Sequence, residues 1–229
     1  MATRPATITR RADFERASPA DLETLRRFPS CVVGDALGRR AGLGPAVRAL
    51  TVARCFAGSA LTVRCGAGDN LAALVALAST RPGDVLVIAC DAADDAAIVG
   101  GSYAKLAAQR GACAIVTDGL ARDVHEMESA GIPVFAAGVH ANGPFKAGPG
   151  DIGQPIAVAG VRIEPGDIVV GDDDGIVVVP RARAAETIAR AREIGLGEQR
   201  TNAAFARGET PDWLARLIAD TPVRDLDAS

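Results

Sequence analysis

Lysine is almost missing from this chain: among its 25 cationic residues only Lys105 and Lys146 are lysines. The first falls in a helical segment and the second in a glycine-rich loop, a poor supply of amines for Schiff-base chemistry. Histidine is as scarce, with His125 and His140 alone. Neither has a cysteine or second histidine at ligand spacing, which argues against a structural zinc site. Cys31, Cys55, Cys65, Cys90 and Cys113 form no closely spaced pair, and most lie in apolar runs such as VLVIAC and ACAIV. They read as reduced core thiols of a cytoplasmic protein. A basic stripe is also lacking, because the net charge is -3, the pI is about 5.5 and the cations are scattered. Phosphate-directed binding of nucleic acid is therefore not expected. No run approaches the ~20 apolar residues that cross a bilayer, and the basic opening MATRPATITRRADFERAS has no apolar core, so neither a membrane span nor a targeting segment is expected. A G-x-S-x-G elbow is absent. Gly66 to Asn70, GAGDN, lacks the lysine and glycine fingerprint of a phosphate loop, so helix capping by Asp69 or Asn70 is the simpler reading, with a place at the rim of a site as the other.

What is present is a chain of 229 residues, 48% hydrophobic, long enough to bury a substantial core as one domain spanning 1–229. Ser18-Pro19 before DLETLRRF predicts an N-terminal helix over about 18–28. The alternation in TVARCFAGSALTVRC predicts paired strands around Gly58. GAGDN then opens an alanine-rich helix from Leu71 to about Ser79. Next come the strand VLVIAC, the helix YAKLAAQR behind GGS, the strand CAIVT, a short helix from about Val124 to Ala130, and the strand IPVFAA. This alternation predicts an α/β fold with a mainly parallel sheet. The segments PIAVAGVRI, IVVG and IVVVP, punctuated by EPGD and DDDG, predict an antiparallel extension. From about 181 to 220 the chain predicts an Arg-rich helical extension with too thin an apolar stripe to be a core element alone, hence a helix reaching over a neighbouring subunit.

Three features converge if the loops leaving Cys90 and Thr117 share one carboxyl edge of the sheet, where open α/β sheets bind ligands. Gly100-Gly101-Ser102-Tyr103 starts a helix whose free amides could hold a carboxylate. The same residues also describe a loop end with Ser102 as cap. Arg122 carries a planar guanidinium suited to a carboxylate and a neighbouring keto oxygen. Asp123 is a plausible single protein ligand for a hydrated divalent cation. Alone, the Arg-Asp pair equally describes a solvated loop or a helix cap. His125, directly after it, reads as an exposed residue of a short polar helix. GDDDG lacks the spacing of a calcium loop and reads as a tight turn.

The ordered series PGDVLVI, glycine-led helix, DG-x-x-RD, G-x-PVF and PGD-x-VV-x-DDDG-x-VVVP, from about Gly58 to Pro180, resembles the class II pyruvate aldolases. These enzymes cleave 4-hydroxy-4-methyl-2-oxoglutarate and 4-carboxy-4-hydroxy-2-oxoadipate, and their family also holds the RraA-like regulators of ribonuclease E activity. The resemblance implies a layered αβα, swivelling phosphohistidine-domain-like fold. It implies that Gly100 to Tyr103 and Arg122 hold the pyruvate end of the substrate, and that Asp123 binds magnesium or manganese. Cleavage between C3 and C4 releases pyruvate as an enolate, which a cation and a guanidinium stabilise. The same chemistry implies oxaloacetate decarboxylation as a side activity.

In these aldolases an acid separated by twenty residues from the RD arginine holds metal-bound water; here that position is Gly101. Asp91, Asp94 and Asp95 in the preceding loop are candidate substitutes, and equally a solvated acidic loop. A second acid comes from the C-terminal helix of an adjacent subunit, and GEQR places it at Glu198; an ordinary exposed glutamate is the other reading. The resemblance thus implies a homotrimer or a hexamer built as a dimer of trimers. Two further functions stay open: a non-catalytic protein-binding regulator of ribonuclease E, and a lyase on a different oxo acid.

Overall fold

The computed structural model describes residues 6–11, 13–91 and 95–224. Its strands are β1 (Ile8–Arg10), β2 (Arg48–Ala49), β3 (Phe56–Cys65), β4 (Asp84–Cys90), β5 (Ala97–Val99), β6 (Ala114–Thr117), β7 (Leu120–Ala121), β8 (Val134–Ala136), β9 (Gly138–Val139), β10 (Gly150–Ile152), β11 (Ile156–Val158), β12 (Val161–Ile163), β13 (Ile168–Asp172) and β14 (Gly175–Val179). Its helices are α1 (Pro19–Leu25), α2 (Ser30–Ala36), α3 (Leu71–Ala76), α4 (Gly101–Gln109), α5 (Val124–Ala130), α6 (Ala184–Ala206) and α7 (Asp212–Asp220). Strands β3, β4, β6 and β8 pair in parallel and form the centre of the main sheet. The hairpin β13–β14 joins antiparallel to β3, and β2 closes the far edge antiparallel to β8.

The α/β class with a mainly parallel sheet and antiparallel additions is what the strand–helix alternation implies. Two details differ from the sequence-based expectation. Gly58 is not a turn between paired strands but lies within the single buried strand β3, where a Cβ would collide with Cys113 Sγ and crowd the Gly83 carbonyl. Its glycine is required by close packing, which periodicity cannot distinguish from a turn. PIAVAGVRI does not extend the main sheet; it forms a separate two-stranded sheet, β11–β12.

Side chains alternating along β3 and β4 divide the interior. Leu61, Val63, Leu86 and Ile88 pack with residues of α3, α4 and α5. Phe56, Ala60, Val85 and Val87 pack with Ile156, Val158 and Ile163 of the small hairpin, so that outer layer is β-structure where the αβα expectation has helices. A third cluster joins α1, α2 and the start of α6 to β13 and β14. The N-terminal region is likewise two helices, α1 and α2, with Ser18 Oγ accepting the Asp21 amide at 3.1 Å as the α1 cap.

The C-terminal segment also resolves into two helices. In α6 only Ala184, Thr187, Ile188, Ala191 and Ala204 are buried, and α7 buries none of its residues. No helix among the described residues is long and apolar enough to cross a membrane. The expectation of core thiols fits Cys65, while Cys90 and Cys113 are partly buried and Cys31 and Cys55 are exposed; all five are free. An apolar sequence neighbourhood did not fix burial at the last two, because one opens a helix and the other precedes a strand.

Candidate functional site

The sequence-derived features meet on a second, very small parallel sheet. Strand β5 pairs with β7, and β7 with β9, with Val99 opposite Ala121 and Ala121 opposite Val139. The Arg122 amide donates to Val99 O at 3.1 Å and the His140 amide to Ala121 O at 2.9 Å. Register therefore sets Gly100, Arg122 and His140 side by side at the carboxyl ends of the three strands. Arg122, Asp123, Val124, Val139, His140 and Ala141 line a cavity of about 460 Å³ there.

The TDG turn explains how β6 reaches this sheet. Asp118 Oδ1 accepts the Cys90 amide at 2.9 Å and Oδ2 the Ala159 amide at 3.3 Å, tying the ends of β4 and β6 to the small hairpin. Burial raises the Asp118 carboxyl above its ordinary range, opposed by those backbone hydrogen bonds. Thr117 Oγ1 accepts the Gly119 amide at 2.9 Å. A Cβ at Gly119 would crowd Cys90 Sγ at 2.5 Å, so a bulkier residue there would displace the turn that carries Arg122.

Asp123 stands at the N-cap of α5 with φ 59°, in the left-handed region. Few L residues other than Asn and Asp adopt it. An N-cap aspartate usually accepts an amide of its own helix; this one makes no such bond, so its carboxylate is free for another partner. Arg122 Nε lies 3.7 Å from Asp123 Oδ2, with both side chains nearly half exposed. A pair so loose and wet contributes little to stability, and both groups remain able to bind a ligand.

Against them lies the start of α4. Gly100 is its N-cap and caps nothing with a side chain; the first helical bond runs from the Ala104 amide to Gly100 O. The amides of Gly101, Ser102 and Tyr103 thus point from the positive end of the helix. A Cβ on Gly100 would stand 2.9 Å from Asp123 Oδ2. Ser102 is exposed. Tyr103 offers only its backbone, since its side chain is buried in the α4 core with the hydroxyl unpartnered, and that burial raises its pKa.

Several residues that sequence reasoning passed over lie here. Val139 and His140 line the cavity; a lone histidine after a two-residue strand carries no spacing signal. Gly143 approaches Arg122 so closely that a Cβ would stand 2.6 Å from Nη1. It belongs to the wall of a neighbouring cavity of about 820 Å³ with Gly68, Asp95 and Asn142. Glu126 lies against Gly101 and bonds Lys105 Nζ at 2.7 Å. That hydrogen bond holds its carboxyl below the ordinary carboxylate range. Asp123-x-x-Glu126 has the spacing of a capping box, the one sequence signal that could have singled it out.

Other candidates are not brought to the cavity. Glu198 is exposed on α6 and does not line it; its charge is felt at Cys31, together with those of Asp172 and Asp174. Asp91 pairs with Arg64 at 3.2 Å, Asp95 accepts Asn142 through its backbone carbonyl, and Asp94 lies outside the described residues. Asp69 accepts the Leu71 amide at 2.8 Å at the start of α3, and His125 is exposed.

The chain as a whole has recognisable relatives. The family model RraA-like, Aldolase/RraA, matches residues 30–178. The chain belongs to the RraA-like family. A relative from Halalkalibacterium halodurans, named "Putative 4-hydroxy-4-methyl-2-oxoglutarate aldolase", is 33% identical over 77% of this chain and 85% of its own. One of the same name from Burkholderia multivorans is 37% identical over 59% of this chain and 82% of its own. Among solved RraA-like structures, Streptomyces coelicolor RraAS2, described as an unusual member of the RNase ES inhibitor RraA family, superposes with TM-score 0.70 at 27% identity, covering 84% of this chain and 98% of that one. An uncharacterized Pseudomonas syringae protein superposes with TM-score 0.77 at 26% identity, covering 90% and 97%. The RraA-like core thus carries both names, aldolase and RNA-processing inhibitor, and the site must decide between them.

Proposed function

We propose that the protein is a divalent-metal-dependent carbon–carbon lyase that cleaves a 4-hydroxy-2-oxo acid, such as 4-hydroxy-4-methyl-2-oxoglutarate, to pyruvate and a second oxo acid. The observation that carries this reading is the meeting of Arg122 and an uncapped Asp123 at one cavity, with Gly100, the N-cap of α4, packed against the Asp123 carboxylate. The amides and guanidinium suit the carboxylate and keto oxygen of a 2-oxo acid.

A cation fits this donor set in a limited way. Among the described residues no group of three acidic, histidine or cysteine side chains is placed to cage a metal, but magnesium is often held by one or two carboxylates and keeps its waters. Asp123, free of capping, would hold magnesium or manganese, which would supply positive charge to the developing enolate. The remaining work falls to the chain. The α4 amides fix the substrate carboxylate, and Arg122 orients the keto group. The C4 hydroxyl passes its proton to a solvent water as the C3–C4 bonding pair moves into the enolate and the second oxo acid is released, and the guanidinium stabilises the enolate oxygen. Protonation at C3 then gives pyruvate. Loss of carbon dioxide from oxaloacetate leaves the same enolate, so decarboxylation is the expected side activity. A lysine imine is a poor alternative, because Lys105 is engaged with Glu126 and Lys146 is exposed.

On this reading the chain assembles as a homotrimer, or as a dimer of trimers, in which Glu198 enters the site of the neighbouring subunit. The exposed Leu196, Phe205, Trp213, Leu217 and Ile218 of α6 and α7 support such an assembly. The free thiols suit a cytoplasmic setting.

One observation favours a different reading: Gly101 gives the helix start no acid of its own, and RraA inhibitors share the fold. A regulator that binds ribonuclease E without catalysis would have no use for Asp123. Oxaloacetate with and without manganese separates the two, since a lyase releases pyruvate in a metal-dependent way and a regulator releases none.

A further inference from the structure

We propose that Glu126 is the second carboxylate of the site, a positioning residue that accepts hydrogen bonds from the waters of the cation at Asp123, and that Gly101 is what admits it. This inference deepens the lyase reading and rests on it. Asp123 and Glu126 are the N-cap and third residue of α5. In a capping box the third residue would turn back to the cap amide. Glu126 instead reaches across to α4, where its Oε2 lies 2.7 Å from Lys105 Nζ. The same oxygen stands 2.9 Å from the point that a Cβ on Gly101 would occupy, just as Asp123 Oδ2 stands 2.9 Å from the corresponding point on Gly100. Two carboxylates therefore lie against two consecutive glycines. Any side chain at 101 would collide with the Cβ of Glu126. The position cannot hold its own acid and the present Glu126 together, so the carboxylate has moved from one helix to the next.

The chemistry fits this transfer. A cation bound by one carboxylate keeps several waters, and their protons need acceptors. Lys105 fixes the rotamer of Glu126 from the second turn of α4. Arg122 and Lys105 balance Asp123 and Glu126, so a divalent cation leaves the site with two positive charges, the complement of a dicarboxylate substrate. The lysine–glutamate bridge is about half exposed, and as a purely structural pair it would hardly affect stability.

Titration with Mn2+ alone, read by the electron paramagnetic resonance of free Mn2+, tests the inference on the full chain without recourse to turnover. Wild type, Glu126→Gln, Asp123→Asn and Glu193→Gln, an exposed acid of α6, are compared, with Tm recorded for each. We expect Asp123→Asn to lose binding, Glu193→Gln to match wild type, and Glu126→Gln to weaken binding about 10- to 100-fold, the usual cost of removing a group that hydrogen-bonds metal ligands, with Tm unchanged. The exchange Gly101→Asp with Glu126→Gly should recover most of the affinity that Glu126→Gly alone loses. Wild-type affinity in Glu126→Gln, with binding still lost in Asp123→Asn, overturns the role of Glu126 while the metal reading stands. No Mn2+ binding by wild type overturns both.

Discussion

Gly143 and Gly100 supply no functional group, yet each shapes the site by what it leaves out. A methyl at 143 would stand 2.6 Å from Arg122 Nη1 and must push the guanidinium aside, while one at 100 would crowd Asp123 Oδ2 at 2.9 Å. Misplacement of a catalytic group by an ångström costs as much as about 100-fold in rate. Gly143→Ala should therefore lower kcat/KM for 4-hydroxy-4-methyl-2-oxoglutarate at least tenfold while Tm stays near wild type; unchanged kinetics would remove Arg122 from the reaction. Gly101→Asp alone should not raise activity, because its Cβ meets that of Glu126, and such overpacking costs about 1–3 kcal/mol, to be read in urea denaturation. At this scale Arg122-Asp123 was legible from its motif, whereas the Glu126 contact was not, since it depends on how closely α4 and α5 pack.

Elements bounded by clear glycine and proline breakers were legible, and strands of two or three residues at the site were not. The spans of α4, α5 and β4 follow from apolar runs bounded by glycine and proline. Strands β5, β7 and β9, of two or three residues each, have no periodicity to detect, although Gly100, Arg122 and His140 follow directly from their register. Gly58 marks the same limit inside β3, and Gly58→Ala should cost about 1–3 kcal/mol by crowding Cys113 and Gly83. A second element-scale expectation concerns how the segment before α1 is fastened to β4. Arg16 bonds Asp84 twice, at 2.7 and 2.9 Å, and Asp84 is wholly buried and also accepts the Arg81 amide at 2.8 Å. Arg16→Met leaves that carboxylate buried without its partner, a change worth about 3 kcal/mol or more in chemical denaturation. A loss below ~1 kcal/mol would mean that water replaces the guanidinium.

Across the whole molecule, the feature least explained by a single chain is the C-terminal arm. Beyond Ala191, α6 buries only Ala204, and α7 exposes Trp213, Leu217 and Ile218 on one side. The thin apolar stripe in the sequence predicts packing against a neighbouring subunit, and the exposed side chains of α7 are where we propose that such a subunit binds. Light scattering should give three or six times 23.4 kDa, and Trp213→Asp with Leu217→Asp should reduce it; an unchanged mass would show that the arm does not join subunits. The central claim, a metal-dependent lyase built on Arg122 and Asp123, is tested most directly by pyruvate release from 4-hydroxy-4-methyl-2-oxoglutarate with and without magnesium or manganese. Asp123→Asn is the informative variant, because asparagine tolerates the same left-handed backbone and removes only the charge. The account expects metal-dependent pyruvate from wild type and a loss of about 100-fold or more in Asp123→Asn. Pyruvate release that ignores metal, or that survives the substitution intact, would contradict it.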